Sequence, residues 1–192
     1  MLRRIGNRVL SAVFGKTASR QPRTGTNFGV KENASNAMPV REFSLADLAA
    51  TEALAGRFAP LLYPGDIIAL SGNLGTGKSA FSRALIRTLG GMNLEVPSPT
   101  FTLVQIYELP AFDLWHFDLY RLEDPQDALE LDIEDAFATG VSLIEWPEQL
   151  GPYLPADRLD LHFSFSKRAT ARRARLHCSK GWANRLEGLG DG

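Results

Sequence analysis

The stretch Gly72-Asn-Leu-Gly-Thr-Gly-Lys-Ser79 follows the phosphate-binding pattern G-x-x-x-x-G-K-[ST]. Residues 66–70 before it form a short, mostly apolar run that predicts a buried strand, and residues 80–89 after it have helical spacing. Glycines let a loop wrap closely around an anion, and the first turn of the next helix adds unpaired N–H groups. This order predicts a nucleoside triphosphate site; the alternative is a glycine-rich turn with an exposed lysine.

The pattern also predicts a task for each position of the loop. Lys78 is placed to reach the β- and γ-phosphates, and the hydroxyl of Ser79 is placed to bind Mg²⁺. The backbone N–H groups that cradle the phosphates belong to Gly72, Asn73, Leu74, Gly75, Thr76 and Gly77.

A phosphate loop needs a carboxylate from a neighbouring strand to hold Mg²⁺, directly or through water. Residues 141–145 predict an apolar strand that ends in Glu145, and residues 115–118 lie in an aromatic-rich strand that ends in Asp118. We predict that Glu145 binds Mg²⁺ and that Asp118 orients or deprotonates the attacking water. The alternatives are structural roles, which for Asp118 are a helix cap or an ion pair with Arg121.

Residues 98–102 spell Ser-Pro-Thr-Phe-Thr, at a position where P-loop proteins carry a segment that senses the γ-phosphate. The hydroxyls of Ser98, Thr100 and Thr102 could contact a metal-bound water or a phosphate. The alternative is an ordinary turn rich in serine and threonine.

The composition is that of a soluble globular protein, with 44% hydrophobic residues and a mean hydropathy of -0.12. No apolar run approaches the length of a membrane span, so no membrane partner is expected. A single cysteine, Cys178, fits a reducing compartment, and we expect a cytoplasmic location. The three histidines stand without metal-ligand spacing.

Charge is distributed unevenly along the chain. Residues 1–37 contain seven basic residues and one acidic residue, whereas residues 38–192 contain 14 basic and 21 acidic residues. This acidic body argues against a wide nucleic-acid-binding face. The segment 167–185 is the exception, because it holds seven basic residues and no acidic one. Its stretch 167–180 could meet tRNA, a partner or the nucleotide, or could be a solvated hairpin face.

Three segments are predicted along the chain. Residues 1–37 are basic and largely without periodicity, which indicates a disordered extension. A transit peptide, an arm that touches a membrane or partner, and an upstream start codon are the three interpretations of this extension. Residues 38–182 form the folded domain, and residues 183–192 form a flexible C-terminal tail.

Residues 38–182 have the strand and helix pattern of the α/β class. We predict a helix over residues 45–59 that is capped by Ser44, and short helices that begin at Asp124 and at Ile133. Alternation in 101–107 and 159–165 indicates strands with one wet face or antiparallel pairing. The predicted strands cover residues 41–43, 66–70, 95–96, 101–107, 114–118, 141–145, 159–165 and 173–178.

Four motifs in this order resemble the TsaE (YjeE) family, bacterial P-loop ATPases needed to make threonylcarbamoyladenosine in tRNA. The resemblance covers residues 40–180, and its motifs are the phosphate loop, Ser98-Pro-Thr-Phe-Thr-Leu-Val104, His116-Phe-Asp-Leu-Tyr-Arg-Leu122 and Glu145-Trp-Pro-Glu148. It implies a single P-loop NTPase-like domain of three layers, with a mixed, mostly parallel sheet and antiparallel C-terminal strands. It also implies ATP and Mg²⁺ as cofactors.

The resemblance further implies assembly with the TsaD and TsaB subunits that carry out threonylcarbamoyl transfer, with tRNA contacted indirectly or weakly. It places Trp146 at the edge of the active site, Glu145 on Mg²⁺ and Asp118 in hydrolysis. Lys78 is the other predicted catalytic residue, because it takes up charge on the γ-phosphoryl group. It places Arg172 near the nucleotide base, although Ala171 stands where the family has glycine. The helix after Ser44 is also implied to touch the nucleotide.

The function expected from these observations is ATP hydrolysis by an accessory subunit that resets or drives a tRNA-modifying complex. No arginine finger is evident, so we expect slow hydrolysis by the isolated chain and faster hydrolysis in the complex. One alternative is a P-loop small-molecule kinase, although Arg121 is the only arginine between Leu89 and Glu148 and an arginine-bearing lid is missing. The other is a nucleotide-gated protein-binding module that needs no hydrolysis.

Overall fold

The structure, a computed structural model, describes residues 7–9 and 41–189 of the 192-residue chain. In this part, eight strands form one sheet, which four α-helices and short 3-10 helices connect and cover. The strands are β1 (Asn7–Val9), β2 (Arg41–Leu45), β3 (Ile67–Ser71), β4 (Val104–Glu108), β5 (Asp113–Asp118), β6 (Val141–Glu145), β7 (Leu159–Phe165) and β8 (Arg172–Cys178). The α-helices are α1 (Leu48–Phe58), α2 (Lys78–Gly90), α3 (Ile133–Thr139) and α4 (Lys180–Leu186). The 3-10 helices span Ala59–Leu61, Pro125–Leu131, Pro147–Tyr153 and Glu187–Leu189.

The strands follow the order β1-β4-β5-β6-β3-β7-β8-β2 across the sheet. Strands β5, β6, β3 and β7 run parallel, whereas the strands outside them on both sides pair antiparallel. The predicted α/β class and mixed sheet are confirmed, with the parallel pairing confined to the middle. Since β5, β6 and β3 are parallel neighbours, their carboxyl ends meet at the same end of the sheet, where ligands of open α/β sheets bind.

Two hydrophobic clusters cover the two faces of the sheet and give the predicted three layers. The larger lies beneath α1, α2 and α4 and includes the fully buried rings of Phe58, Phe81 and Phe163. The smaller lies beneath α3 and the neighbouring 3-10 helices and includes Phe117 and Ile144. Successive strand residues point to opposite faces, and β3, β5 and β6 each supply both clusters.

Helix α1 begins later than its sequence predicts. Phe43 and Leu45 are both buried on one face of β2, so Ser44 between them lies in the strand and cannot cap the helix. The cap is Asp47, whose carboxylate accepts a hydrogen bond from the Ala50 N–H at 2.9 Å. The predicted cap at Ser44 is therefore wrong.

The segment between α2 and β4 also differs from its prediction. Residues 95–96 form no strand; the carbonyl oxygen of Val96 instead accepts a hydrogen bond from Arg83 on α2 at 3.2 Å. Residues 101–103 turn the chain, with Leu103 at a φ of 63° and its N–H bonded to the Pro99 carbonyl at 2.7 Å. Strand β4 therefore begins at Val104, three residues after the predicted start.

The folded part extends beyond the predicted boundary at residue 182. Trp182, Leu186 and Leu189 are buried in the larger cluster. Arg185 donates two hydrogen bonds to the carboxylate of Asp66, each at 2.7 Å, and so fastens α4 to the segment just before β3. Residues 183–189 are thus part of the packed domain rather than a flexible tail, because their apolar side chains complete the core.

Within the predicted N-terminal extension, the structure describes only β1, which pairs antiparallel with β4. The remaining residues of segment 1–37 lie outside the described residues, so their predicted disorder stays a prediction. Among the described helices, none is long and apolar enough to cross a membrane.

Candidate nucleotide site

The phosphate loop runs from Gly72 to Gly77, between the end of β3 and the first residue of α2. Gly72 and Gly77 have φ values of 123° and 113°, in the left-handed region that favours glycine. A Cβ at Gly72 would lie 2.1 Å from the carbonyl oxygen of Phe163 on β7, so the close approach of these backbones requires glycine. Within the loop, the Thr76 hydroxyl donates to the Asn73 carbonyl oxygen at 2.7 Å.

Lys78 is buried, which contradicts the alternative of an exposed lysine beside a simple turn. Its Nζ donates to the carbonyl oxygens of Gly72 and Asn73 at 2.7 and 3.1 Å and lies 3.8 Å from the centre of the Trp146 ring. Burial lowers the pKa of Lys78, and the carboxylate of Glu145 opposes that shift. The carbonyl oxygens and the ring that contact the Lys78 ammonium carry no full negative charge. A phosphate group does, so it would be a stronger partner for this partly desolvated cation.

Glu145 ends β6, beside β3, and is almost fully buried. Its Oε2 accepts a hydrogen bond from Ser79 Oγ at 2.7 Å, and its Oε1 accepts one from Ser82 Oγ at 3.0 Å. Nε2 of His116 lies 2.9 Å from Oε1, and it carries a proton because an ionised carboxylate only accepts. Burial alone would raise the pKa of Glu145, but His116 and the two hydroxyls outweigh it and hold that pKa below its usual range.

Ser82 and His116 are missing from the predicted site. Ser82 lies four residues after Lys78 and therefore on the same face of α2. His116 lies two residues before Asp118 and therefore on the same face of β5. These two spacings are the sequence signal that could have found them. His116 is 1% exposed, and within the described residues its Nδ1 has no hydrogen-bond partner.

Asp118 ends β5 and is the direct register partner of Glu145. Its Oδ2 accepts hydrogen bonds from Thr100 Oγ1 at 2.7 Å and Ser98 Oγ at 3.2 Å. The predicted alternative of an ion pair with Arg121 is not what the structure shows, because the Arg121 guanidinium lies over the Phe101 ring, 4.5 Å from its centre. The segment 98–102 thus contacts the second carboxylate of the site.

A cleft of about 320 Å³ opens above the loop and brings the predicted groups together. Thr102, predicted with Ser98 and Thr100 to face the ligand, is not part of its lining. Beyond the loop and the start of α2, the lining consists of Ser98, Thr100, Asp118, Tyr120, Glu145 and Trp146.

Trp146 and Arg172 lie on opposite sides of the loop. Trp146 has a φ of 60°, and its ring packs against Tyr120 with 5.0 Å between ring centres. Arg172 begins β8, donates from Nε to the Gly75 carbonyl oxygen at 3.3 Å, and covers the ring of Phe165. The structure therefore places both predicted residues at the loop, with Trp146 over Lys78 and Arg172 against Gly75.

The donor set of the site fits a small, hard cation. The hydroxyl of Ser79 and the carboxylate of Glu145 are joined at 2.7 Å, and both offer oxygen. Mg²⁺ characteristically takes one or two protein oxygens together with waters and substrate phosphates. Residues 7–9 and 41–189 contain no group of three or more His, Cys, Asp or Glu residues that could hold a metal ion.

The sheet order, the loop that begins and ends with glycine, and the adjacent buried carboxylate define a P-loop NTPase-like α/β fold. The crystal structure of Bacillus subtilis YdiB has the same fold, with a TM-score of 0.65 over 79% of this chain and 94% of that one. At 24% sequence identity, that likeness supports the fold alone.

Sequence comparison then gives the family. The family model described as "Threonylcarbamoyl adenosine biosynthesis protein TsaE" matches residues 45–174. The TsaE of Rickettsia bellii is 40% identical over 112 residues, which cover 58% of this chain and 78% of the relative. The TsaE of Bacillus subtilis is 39% identical over 111 residues, which cover 58% and 69%. The chain belongs to the TsaE family.

Proposed function

We propose that this chain binds ATP with Mg²⁺ in the cleft and hydrolyses it in support of threonylcarbamoyladenosine modification of tRNA. The observation that carries the proposal is the hydrogen bond between Ser79 and the buried Glu145 beside the phosphate loop, with Oγ and Oε2 at 2.7 Å. The pathway is that of the TsaE family, to which the chain belongs. We place this activity in the cytoplasm, where tRNA modification of this kind would occur.

The loop and Lys78 bind the triphosphate in this proposal. The backbone N–H groups of residues 72–77 and the start of α2 surround the phosphates, and the helix N-terminus adds partial positive charge. Lys78 exchanges its bonds to the Gly72 and Asn73 carbonyl oxygens for bonds to phosphate oxygens. Arg172 and Trp146 border the loop on either side and form the edges of the binding site.

Ser79 and Glu145 would hold Mg²⁺, Ser79 through its hydroxyl and Glu145 directly or through a water. When bound, the cation neutralises charge that develops on the phosphate oxygens. Glu145 needs no rearrangement for this task, since three hydrogen bonds already fix its two oxygens in the ionised form.

Asp118 orients the attacking water and accepts its proton. The hydroxyls of Thr100 and Ser98 hold its Oδ2, so the carboxylate faces the cleft in a set orientation. An aspartate at this position can act as a general base for water held within hydrogen-bond distance.

We propose that hydrolysis serves a complex with the TsaD and TsaB subunits and is slow in the isolated chain. Charge on the transferring phosphoryl group is often stabilised by an arginine that a partner supplies or positions. Arg121 is stacked on the exposed ring of Phe101 near the cleft mouth, where a partner surface could reposition it. A partner that leaves the turnover rate unchanged would count against this part of the proposal.

Calorimetric titration of the full chain with ATP, with and without Mg²⁺, tests nucleotide binding directly. We expect magnesium-dependent binding by the native chain and little binding by the Lys78→Ala variant. Complementation of a deletion strain with the Glu145→Ala variant then tests the need for hydrolysis. If the variant binds its partners and ATP yet restores the modified adenosine without turnover, the chain is a nucleotide-gated module rather than an ATPase.

A further inference from the structure

One half of the sheet has a face that no described helix covers. The inward residues of β7, β8 and β2 belong to the larger hydrophobic cluster. Their outward residues contribute nothing to the smaller cluster, whose strand residues come from β3, β4, β5 and β6. We call this surface the bare strand face, and it consists of Glu42, Ser44, Asp160, His162, Ser164, Arg173, Arg175 and His177.

The bare strand face itself carries two arginines and two acids, so an excess of positive charge arises only with Arg158 beside it and with the adjoining turn. The side chains of Arg173 and Arg175 are 50% and 57% exposed. A guanidinium nitrogen of each lies 3.5 Å from a carboxylate oxygen of the same acid, Glu42. The other acid, Asp160, is engaged by Arg158 at 2.8 Å. Two arginines thus share one carboxylate, and at 3.5 Å neither forms a close ion pair with it.

The charge continues into the turn between β7 and β8, where Lys167 and Arg168 are exposed. The register pair of Phe165 and Arg172 faces the other side of the sheet, toward the phosphate loop, and is not part of the bare strand face. The acidic residues of the body are concentrated in segment 108–148. Salt at physiological strength screens charges over about 8 Å, so acids farther away than that have little effect on a phosphate held at the bare strand face.

The chemistry of this surface favours a polyanion over a protein. The cores of protein interfaces are rich in aromatic and methionine side chains, and the outward positions of these three strands contain none of the large apolar kind. Arg173 and Arg175 point to the same side of β8 and repeat at about 7 Å. A chain with regularly repeated phosphates can meet such a row at several points at once.

We propose that the bare strand face binds the phosphate backbone of RNA, with Arg173, Arg175, Lys167 and Arg168 as the phosphate contacts. The proposal rests on the proposed function, since tRNA is then the molecule that is modified. It also places the RNA beside the nucleotide cleft, because His162 on this face bonds to Ser71 at 3.0 Å, directly before the phosphate loop.

Fluorescence anisotropy with labelled tRNA and the full-length chain tests the proposal. The double variant Arg173→Gln/Arg175→Gln should bind at least about tenfold more weakly at low salt, and the slope of log affinity against log salt should be shallower by about two. The single variant Arg175→Gln should change the slope by about one. Both variants keep the basic residues of segment 1–37, so any contribution of that segment cancels in the comparison.

The matched control is Arg173→Lys/Arg175→Lys, which retains the charges and should retain most of the affinity and the salt slope. Equal affinities and slopes for the native chain and the glutamine variants would overturn the proposal. So would a double glutamine variant that keeps its affinity for tRNA but loses binding to the TsaD and TsaB subunits, because the face would then bind acidic protein. ATP binding, measured by calorimetry on the same variants, should be unchanged; its absence from the native chain would refute the proposed function and not the RNA contact.

Discussion

Glu145 and Asp118 are the last residues of two neighbouring parallel strands and are register partners, yet their surroundings differ. Glu145 is bonded by side chains of α2 and β5, which are regular elements packed in the core. Asp118 is bonded by Ser98 and Thr100, which lie in the irregular segment between α2 and β4.

This difference shows how one end of a sheet can supply both a fixed group and an adjustable one. The position of Glu145 follows from the packing of the core, so it suits the constant task of holding a cation. Asp118 also lies in a core strand, but the hydroxyls that orient its carboxylate come from a loop, so it suits a step that depends on the presence of the γ-phosphate or a partner. Four substitutions test this division, from the largest expected effect to the smallest.

Replacement of the fixed carboxylate should have the largest effect. We expect Glu145→Gln to lower the ATP turnover rate by at least about 100-fold, because the site loses the charge that holds the cation. Nucleotide binding measured by calorimetry should also lose most of its dependence on Mg²⁺. Glu130→Gln removes an exposed carboxylate that does not line the cleft and should stay close to the native chain; a similar loss in both variants would show a general charge effect.

Asp118→Asn should lower the turnover rate by about 100-fold while leaving magnesium-dependent ATP binding nearly intact. Loss of a general base affects the chemical step, and the amide preserves the shape of the carboxylate. Steady-state kinetics beside calorimetry separates the two quantities. If ATP affinity falls as steeply as turnover, Asp118 shares the task of Glu145 and the comparison between them fails.

His116→Ala should weaken the affinity for Mg²⁺ in the nucleotide complex by about 10-fold or more, because outer partners of metal-binding carboxylates set their orientation. His116→Gln retains a donor that can reach Oε1 of Glu145 and should recover part of the loss. Titration of Mg²⁺ at fixed ATP gives the affinity, and thermal unfolding separates it from a loss of stability. Equal defects in both variants would indicate that His116 only fills space.

Thr100→Ala should have the smallest effect, a reduction in turnover of about three- to tenfold, since it removes one of the two hydroxyl bonds to Oδ2 of Asp118. Thr100→Ser keeps the hydroxyl and should behave like the native chain. Neither variant should alter the affinity for Mg²⁺. An altered affinity would mean that the segment 98–102 acts on Glu145 as well.

Local patterns predicted the centre of the fold well. The residue bounds of β6 and β7 agree with the predicted strands 141–145 and 159–165, because continuous apolar or alternating runs with clear breakers define both. The start of α1 was predicted wrongly because Ser44 and Asp47 are both good capping residues. Only the burial of Leu45 against the core decides between them.

The sequence by itself determined the phosphate loop, since its eight residues are contiguous and their glycines, lysine and serine act through the local backbone. It also determined the strand that ends in Glu145, through apolar residues next to one another. Tertiary structure alone decided that His116, Ser82 and Ser79 meet on that carboxylate, because they come from two elements separated along the chain. Only strand order decided that β7, β8 and β2 lie beyond the second helical layer and leave one face to solvent, since pairing between distant strands depends on the whole core.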